Sequence, residues 1–122
     1  MTLRLLPLAL FAASPLAAQT VPDAAPEPAP LSLPQASALK CSAAFALGAA
    51  MQTRGEGAQW PALGERGREF MVQASARIMD ETGWSRDLVA IRTREQATAL
   101  AAPGALDAAM TPCLLLLDAS GL

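Results

Sequence analysis

The chain contains no histidine and no tyrosine, and its 122 residues include only two cysteines, two tryptophans and three phenylalanines. Without histidine it lacks the most common general base, the usual partner of a serine or cysteine nucleophile and the most common zinc or copper ligand. It also has no Cys-x-x-Cys pair, no haem-attachment motif and no glycine-rich phosphate-binding pattern. We therefore expect no enzyme activity, no catalytic residue, no bound metal and no cofactor.

Carboxylates and methionines are the remaining candidates for site chemistry. Glu65 with Glu69, or Asp80 with Glu81, are the available acid–base pairs, but carboxylates on the polar face of an amphipathic helix are usually solvated. Methionine sulfur can bind copper(I), yet the methionines of this chain do not cluster at a chelating spacing and suit gaps in a core. Neither set changes the expectation of a non-catalytic protein.

The first eighteen residues have the organisation of a cleavable export signal. Arg4 supplies a positive charge, residues 5–13 are almost wholly apolar, and Leu16-Ala17-Ala18 precedes a predicted cut after Ala18. A retained membrane anchor is the alternative, but a spanning helix needs about 20 apolar residues, roughly twice this stretch. We therefore expect a periplasmic or secreted protein with no stable membrane insertion after signal cleavage.

Residues 19–34 and the charge balance of the remaining chain limit the partners further. Residues 19–34 are rich in proline and alanine, which predicts a flexible tether before a helical domain over residues 35–122. Loss of Arg4 leaves eight basic residues against eleven acidic ones, without a basic run. This balance disfavours nucleic acid and anionic membranes as partners, and another periplasmic protein is the partner we expect.

The two cysteines, Cys41 and Cys113, are predicted to form a disulfide because exported thiols usually pair. The bridge would close a loop of 113 − 41 = 72 positions, which the chain-entropy model values at roughly 4 kcal/mol. The alternative is a pair of buried free thiols, as in a cytosolic protein. The leader favours the bridge.

The abundance of alanine and leucine, with few β-branched residues, predicts an all-α fold. We expect a small bundle of three to four helices closed by one disulfide, with the first helix at its centre because it is apolar on two sides. Trp60 and Trp84 flank the second helix and are expected to cover the core rather than bind a ligand. The predicted helices run from Ser32 to about Arg54, from about Pro61 to Thr82, from Ser85 to about Ala102, and from Pro112 to about Asp118.

The last two predicted helices lack a clear apolar stripe. Residues 106–110 are predicted to form one helical turn or more. Thr111 and Pro112 are predicted to cap and begin a separate last helix, since proline suits the first position of a helix. Residues 114–117 are four leucines, which predicts a helix inserted into the body. In the third helix, Arg92 and Glu95 fall close to the apolar stripe. They either pair with each other, which we favour, or form a polar seam for a partner.

Four segments of the folded part carry a family resemblance. They are Lys40-Cys41-Ser42-Ala43-Ala44-Phe45-Ala46, Glu65-Arg66-Gly67-Arg68-Glu69-Phe70, Met79-Asp80-Glu81-Thr82-Gly83, and Pro112-Cys113-Leu114 with Asp118-Ala119-Ser120-Gly121-Leu122. In these segments the chain resembles a group of short, uncharacterised exported proteins of alphaproteobacteria. The resemblance implies a periplasmic protein and adds no catalytic residue. In plan only, the chain is also similar to small periplasmic acid-stress chaperones with one disulfide.

These observations favour a non-catalytic periplasmic interaction or binding protein. One alternative is a carrier of a lipid or small apolar ligand, with a slot lined by the alanine-rich first helix and Leu114–Leu117. A protein similar to acid-stress chaperones is a second alternative, and an enzyme that uses only carboxylates is the least favoured.

Overall fold

The computed structural model describes residues 27–122, which fold into four α-helices without a strand in that range. The helices are α1 (Leu33–Thr53), α2 (Gly64–Thr82), α3 (Arg86–Leu100) and α4 (Ala105–Ala119). The all-α prediction is thus confirmed. The predicted signal peptide, its cleavage site and residues 19–26 of the predicted tether lie outside the described residues. Within residues 27–122, no helix has the length and apolar character needed to cross a membrane.

Helix α1 begins where its capping signal predicts. The Ser32 hydroxyl accepts a hydrogen bond from the Gln35 backbone N–H, and the Gln35 side chain accepts one from the Ser32 N–H at 2.8 Å. This reciprocal pair satisfies two of the backbone donors that a helix start leaves free. The helix therefore starts at Leu33, two residues before the predicted domain boundary at residue 35.

Part of the predicted tether is fastened to the helical body. The indole N–H of Trp84 donates to the backbone carbonyl of Ala29 at 2.9 Å. Leu31 packs against a small core cluster formed by Leu39, Ile78, Trp84 and Val89. Trp84 thus covers one end of the core, as expected, and also holds the chain that enters α1.

Helix α1 lies at the centre of the bundle and packs against each of the other three helices. Phe45 is fully buried on it and meets Phe70 of α2 edge to face, with ring centroids 5.2 Å apart. The main core also contains Leu63, Met110 and Leu117, whose side chains have no exposed surface. The expected central position of the first helix is confirmed.

Helix α2 begins at Gly64, three residues after the predicted start at about Pro61, because a side chain of α1 organises the connecting loop. Gln52 of α1 donates its amide to the carbonyls of Gly57 and Pro61 and accepts from the Leu63 N–H at 2.9 Å. These bonds hold the loop in a non-helical conformation as far as Leu63, which is buried. Gly83 ends α2 in the left-handed conformation, as predicted.

Replacing Gln52 with methionine is expected to lower the free energy of unfolding by about 1 kcal/mol, since the loop loses its side-chain hydrogen bonds at similar volume. Gln59→Met is the matched control, because Gln59 lies exposed in the same loop. Urea unfolding of the two variants and the wild type measures the difference. Equal midpoints for both variants would contradict the assigned role of Gln52.

Helix α3 lies on the outside of the bundle. Ser85 caps it by accepting from the Leu88 N–H, and Val89 and Leu100 are its buried residues. Arg92 and Glu95 are exposed and form an ion pair at 3.0 Å, which is the pairing that we favoured from the sequence.

Helix α4 corrects the expected start of the last helix. It runs without a break from Ala105 to Ala119 with Pro112 inside it, so residues 106–110 are helical as predicted, but the helix start at Pro112 was wrong. Proline leaves the carbonyl four residues earlier without its helical partner, but Ala108 and Pro112 are both exposed to water. Met110 and Cys113, on either side, are buried and hold both halves of the helix on the core.

The four consecutive leucines of α4 do not all enter the body. Leu117 is fully buried, whereas Leu115 is 69% exposed. Leu114 and Leu116 are half-buried. The expectation of a helix inserted on all sides was therefore wrong, since α4 lies on the surface of the bundle and buries one face.

Candidate functional site

The bridge between Cys41 and Cys113 is formed, as predicted, with an S–S distance of 2.09 Å and a Cα–Cα distance of 5.2 Å. It joins α1 to the middle of α4, and both cysteines are almost fully buried. The alternative of free thiols is excluded because the two cysteines of the chain are both in this bond.

A groove of about 640 Å³ lies beside the disulfide, between α1, α3 and α4. We call it the α1–α3–α4 groove. Its volume falls within the ~300–1,000 Å³ of typical small-molecule sites. It is open on one side and is lined by Ser37, Lys40 and Cys41 of α1, by Gln96, Ala99 and Leu100 of α3, and by Ala105, Ala108, Ala109, Pro112, Cys113 and Leu116 of α4.

The groove exists because the residues that face it are small. Alanine occupies one position of α3 and three positions of α4 along its walls, and a methyl group fills little of the space between neighbouring helices. Leu100, Leu116 and the disulfide supply the larger apolar contacts. The result is an open groove with a mostly apolar lining.

Three polar side chains border the groove. Ser37 and Gln96 are half-buried, and Lys40 is exposed at the surface. Lys40 is the one ionisable side chain in the lining, and no ion pair joins it to any group of residues 27–122. The groove therefore carries a local positive charge on a protein whose overall charge is −2.

A second hollow of about 300 Å³ lies between α1 and α2. Its floor includes Phe45, Leu63 and Gly67, which are core residues. Gly67 lets α2 approach α1 closely at this point. The hollow therefore lies beside a close contact between the two helices.

The carboxylates considered from the sequence lie on the solvated side of α2. Glu69 accepts a hydrogen bond from Gln73, and Glu81 accepts one from Gln35 at 2.6 Å. Glu65 and Asp80 are exposed as well, and none of the four lines either hollow. Among residues 27–122, no three acidic or cysteine side chains are grouped as a metal site would require.

The sequence did not predict the residues that line this groove correctly. The slot expected from the sequence was lined by the first helix and Leu114–Leu117, but Leu116 is the one leucine of that set in the lining. The alanines of α3 and α4 are the signal that could have indicated it. In a sequence, however, such alanines are equally typical of tightly packed helices. Whether they give close packing or a groove depends on how the three helices are placed relative to one another.

Comparison with known proteins gives no relative for this chain: no family model, no curated protein and no solved structure matches it.

Proposed function

We propose that the chain is an exported, non-catalytic binding protein that holds its ligand in the α1–α3–α4 groove. The observation that carries the proposal is the groove itself, whose walls of small residues leave about 640 Å³ beside the disulfide. Sites of this size and apolar character with a few polar groups are typical of ligand binding.

The disulfide supports both the compartment and the binding role. Disulfides form and persist in oxidising compartments, which fits the export signal predicted at the N-terminus. The bridge also fixes α4 against α1 at the groove wall. A wall held in place before binding reduces the entropy that association has to overcome.

A photo-crosslinking amino acid in place of Ala108 tests the proposal in cells that export the full chain. Ala108 is exposed and lines the groove, whereas Ala76 is exposed on α2 and lies away from it. After illumination and denaturing purification, we expect the same discrete mass adduct in independent preparations at position 108. Substitution at Ala76 should give none.

Two outcomes would overturn the proposed function. One is the absence of an adduct at position 108 in folded, oxidised protein. The other is an identical adduct pattern at positions 108 and 76, because such labelling would not depend on the groove.

A further inference from the structure

The charge pattern of the α1–α3–α4 groove indicates the chemistry of its ligand. Among residues 27–122, Lys40 is the single charged side chain of the lining, and the other lining residues are apolar or neutral. We propose that the groove binds a single-chain amphiphile with an anionic head group, of which a fatty acid is the simplest example. This inference rests on the proposed function and names its ligand class.

The apolar lining of the groove along α4 is long enough for an acyl chain. Helix α4 lines it from Ala105 to Leu116 along one face, a span of eleven residue steps or about 16 Å. The alanine methyl groups allow an extended chain to approach the helix backbones, and Leu100 and the disulfide provide apolar contact. Each methylene group removed from water strengthens binding further.

The polar border suits an anion rather than a cation. The ammonium group of Lys40 provides charge, while the Ser37 hydroxyl and the Gln96 amide are hydrogen-bond donors on the facing helices α1 and α3. Because no carboxylate from the described part of the chain lines the groove, a cationic head group would lack an oppositely charged partner among these residues.

The size of the groove favours a small amphiphile over a folded protein. A stable protein partner covers about 800 Å² on each side, and the surface that lines this groove is far smaller. Scattered exposed apolar residues elsewhere, such as Val72 and Leu115, lie outside the lining and do not extend it.

The experiment is calorimetric titration of the oxidised, exported chain with sodium dodecanoate below its micelle concentration. We expect saturable binding of one molecule. Ala108→Trp places an indole in the groove and should weaken binding by at least about tenfold. Ala76→Trp adds the same side chain outside the groove and should leave binding unchanged, and circular dichroism confirms that both variants are folded.

Lys40 is tested separately through its charge. Lys40→Met should weaken dodecanoate binding by up to about fivefold, the range of an exposed ion pair, whereas Lys40→Arg should retain it. Methyl dodecanoate has no charge, so its affinity should be the same for the wild type and for Lys40→Met. An equal affinity of the wild type for dodecanoate and its methyl ester would overturn the anionic head-group assignment.

Failure of this inference can be distinguished from failure of the proposed function. If folded wild-type protein does not bind dodecanoate, the amphiphile is the wrong ligand. If Ala108→Trp binds it as well as the wild type does, dodecanoate binds outside the groove and the inference is equally overturned. A groove-specific crosslinking adduct at position 108 would then still support a binding protein with a different ligand. Absence of that adduct as well would overturn both.

Discussion

Replacing Cys41 and Cys113 together with alanine is expected to lower the free energy of unfolding by about 4 kcal/mol. The bridge closes a loop with a sequence separation of 72, and the chain-entropy model assigns roughly this value to such a loop. The change is large for a domain of this size, because typical net stabilities are about 5–15 kcal/mol and small domains bury a modest fraction of their surface. We expect a clear fall in both the thermal midpoint and the urea midpoint.

Alanine is the appropriate replacement because both sulfur atoms are in buried positions. Serine would add a buried hydroxyl and so combine loss of the bridge with a desolvation cost. The control is the wild-type chain reduced and kept reduced, whose unfolding free energy should fall by a similar amount. A loss below about 1 kcal/mol in both forms would show that the bridge does not constrain the unfolded chain as the model assumes.

The double alanine variant also tests whether the bridge contributes to binding at the proposed site. The bridge forms part of the groove wall and joins α1 to α4, while Met110 and Leu117 also hold α4 on the core. If the double variant remains folded, we expect weaker dodecanoate binding, because the groove is no longer held in its binding-competent form.

Local signals in the sequence predicted the parts of the fold that depend on local contacts. The cap at Ser32, the cap at Ser85 and the stop at Gly83 each involve residues within a few positions of one another. The ends that they define were accordingly found where expected. The disulfide was predictable for a different reason, since the chain has no other cysteine with which either partner could pair.

The elements that the sequence did not predict depend on distant contacts. Gln52 reaches from α1 to the α1–α2 loop and delays the start of α2. Met110 and Cys113 are held by the core on both sides of Pro112, so the helix continues past a residue that usually begins or ends one. The groove is likewise a property of three helices together, and no single segment encodes it.

Replacing Gly67 with alanine is expected to lower the free energy of unfolding by about 2 kcal/mol. A Cβ atom at this position would lie 2.9 Å from the Cβ of Phe45. That atom is attached directly to the α1 backbone, so a side-chain rotation cannot relieve the contact and the two helices must move apart. Such overpacking typically costs about 1–3 kcal/mol and outweighs the higher helix propensity of alanine.

Glycine is necessary at position 67 because of the short distance between α2 and α1, and not because of its backbone conformation. Gly67 lies inside α2 and has no positive φ angle, so alanine would fit its backbone conformation. Gly64→Ala is the matched control on the same helix, since a Cβ at Gly64 would meet nothing within 4 Å. That variant should be at least as stable as the wild type in urea unfolding.

The double variant Gly67→Ala/Phe45→Leu separates the contact at Cβ from the contact of the aromatic ring. Leucine keeps the Cβ of residue 45, so Gly67→Ala should still lower the free energy of unfolding by at least about 1 kcal/mol in the Phe45→Leu background, the lower end of the usual cost of overpacking. If the smaller side chain relieved most of the loss, the ring of Phe45 would be the limiting group. The close approach of the α1 and α2 backbones would then not be the reason for glycine at position 67.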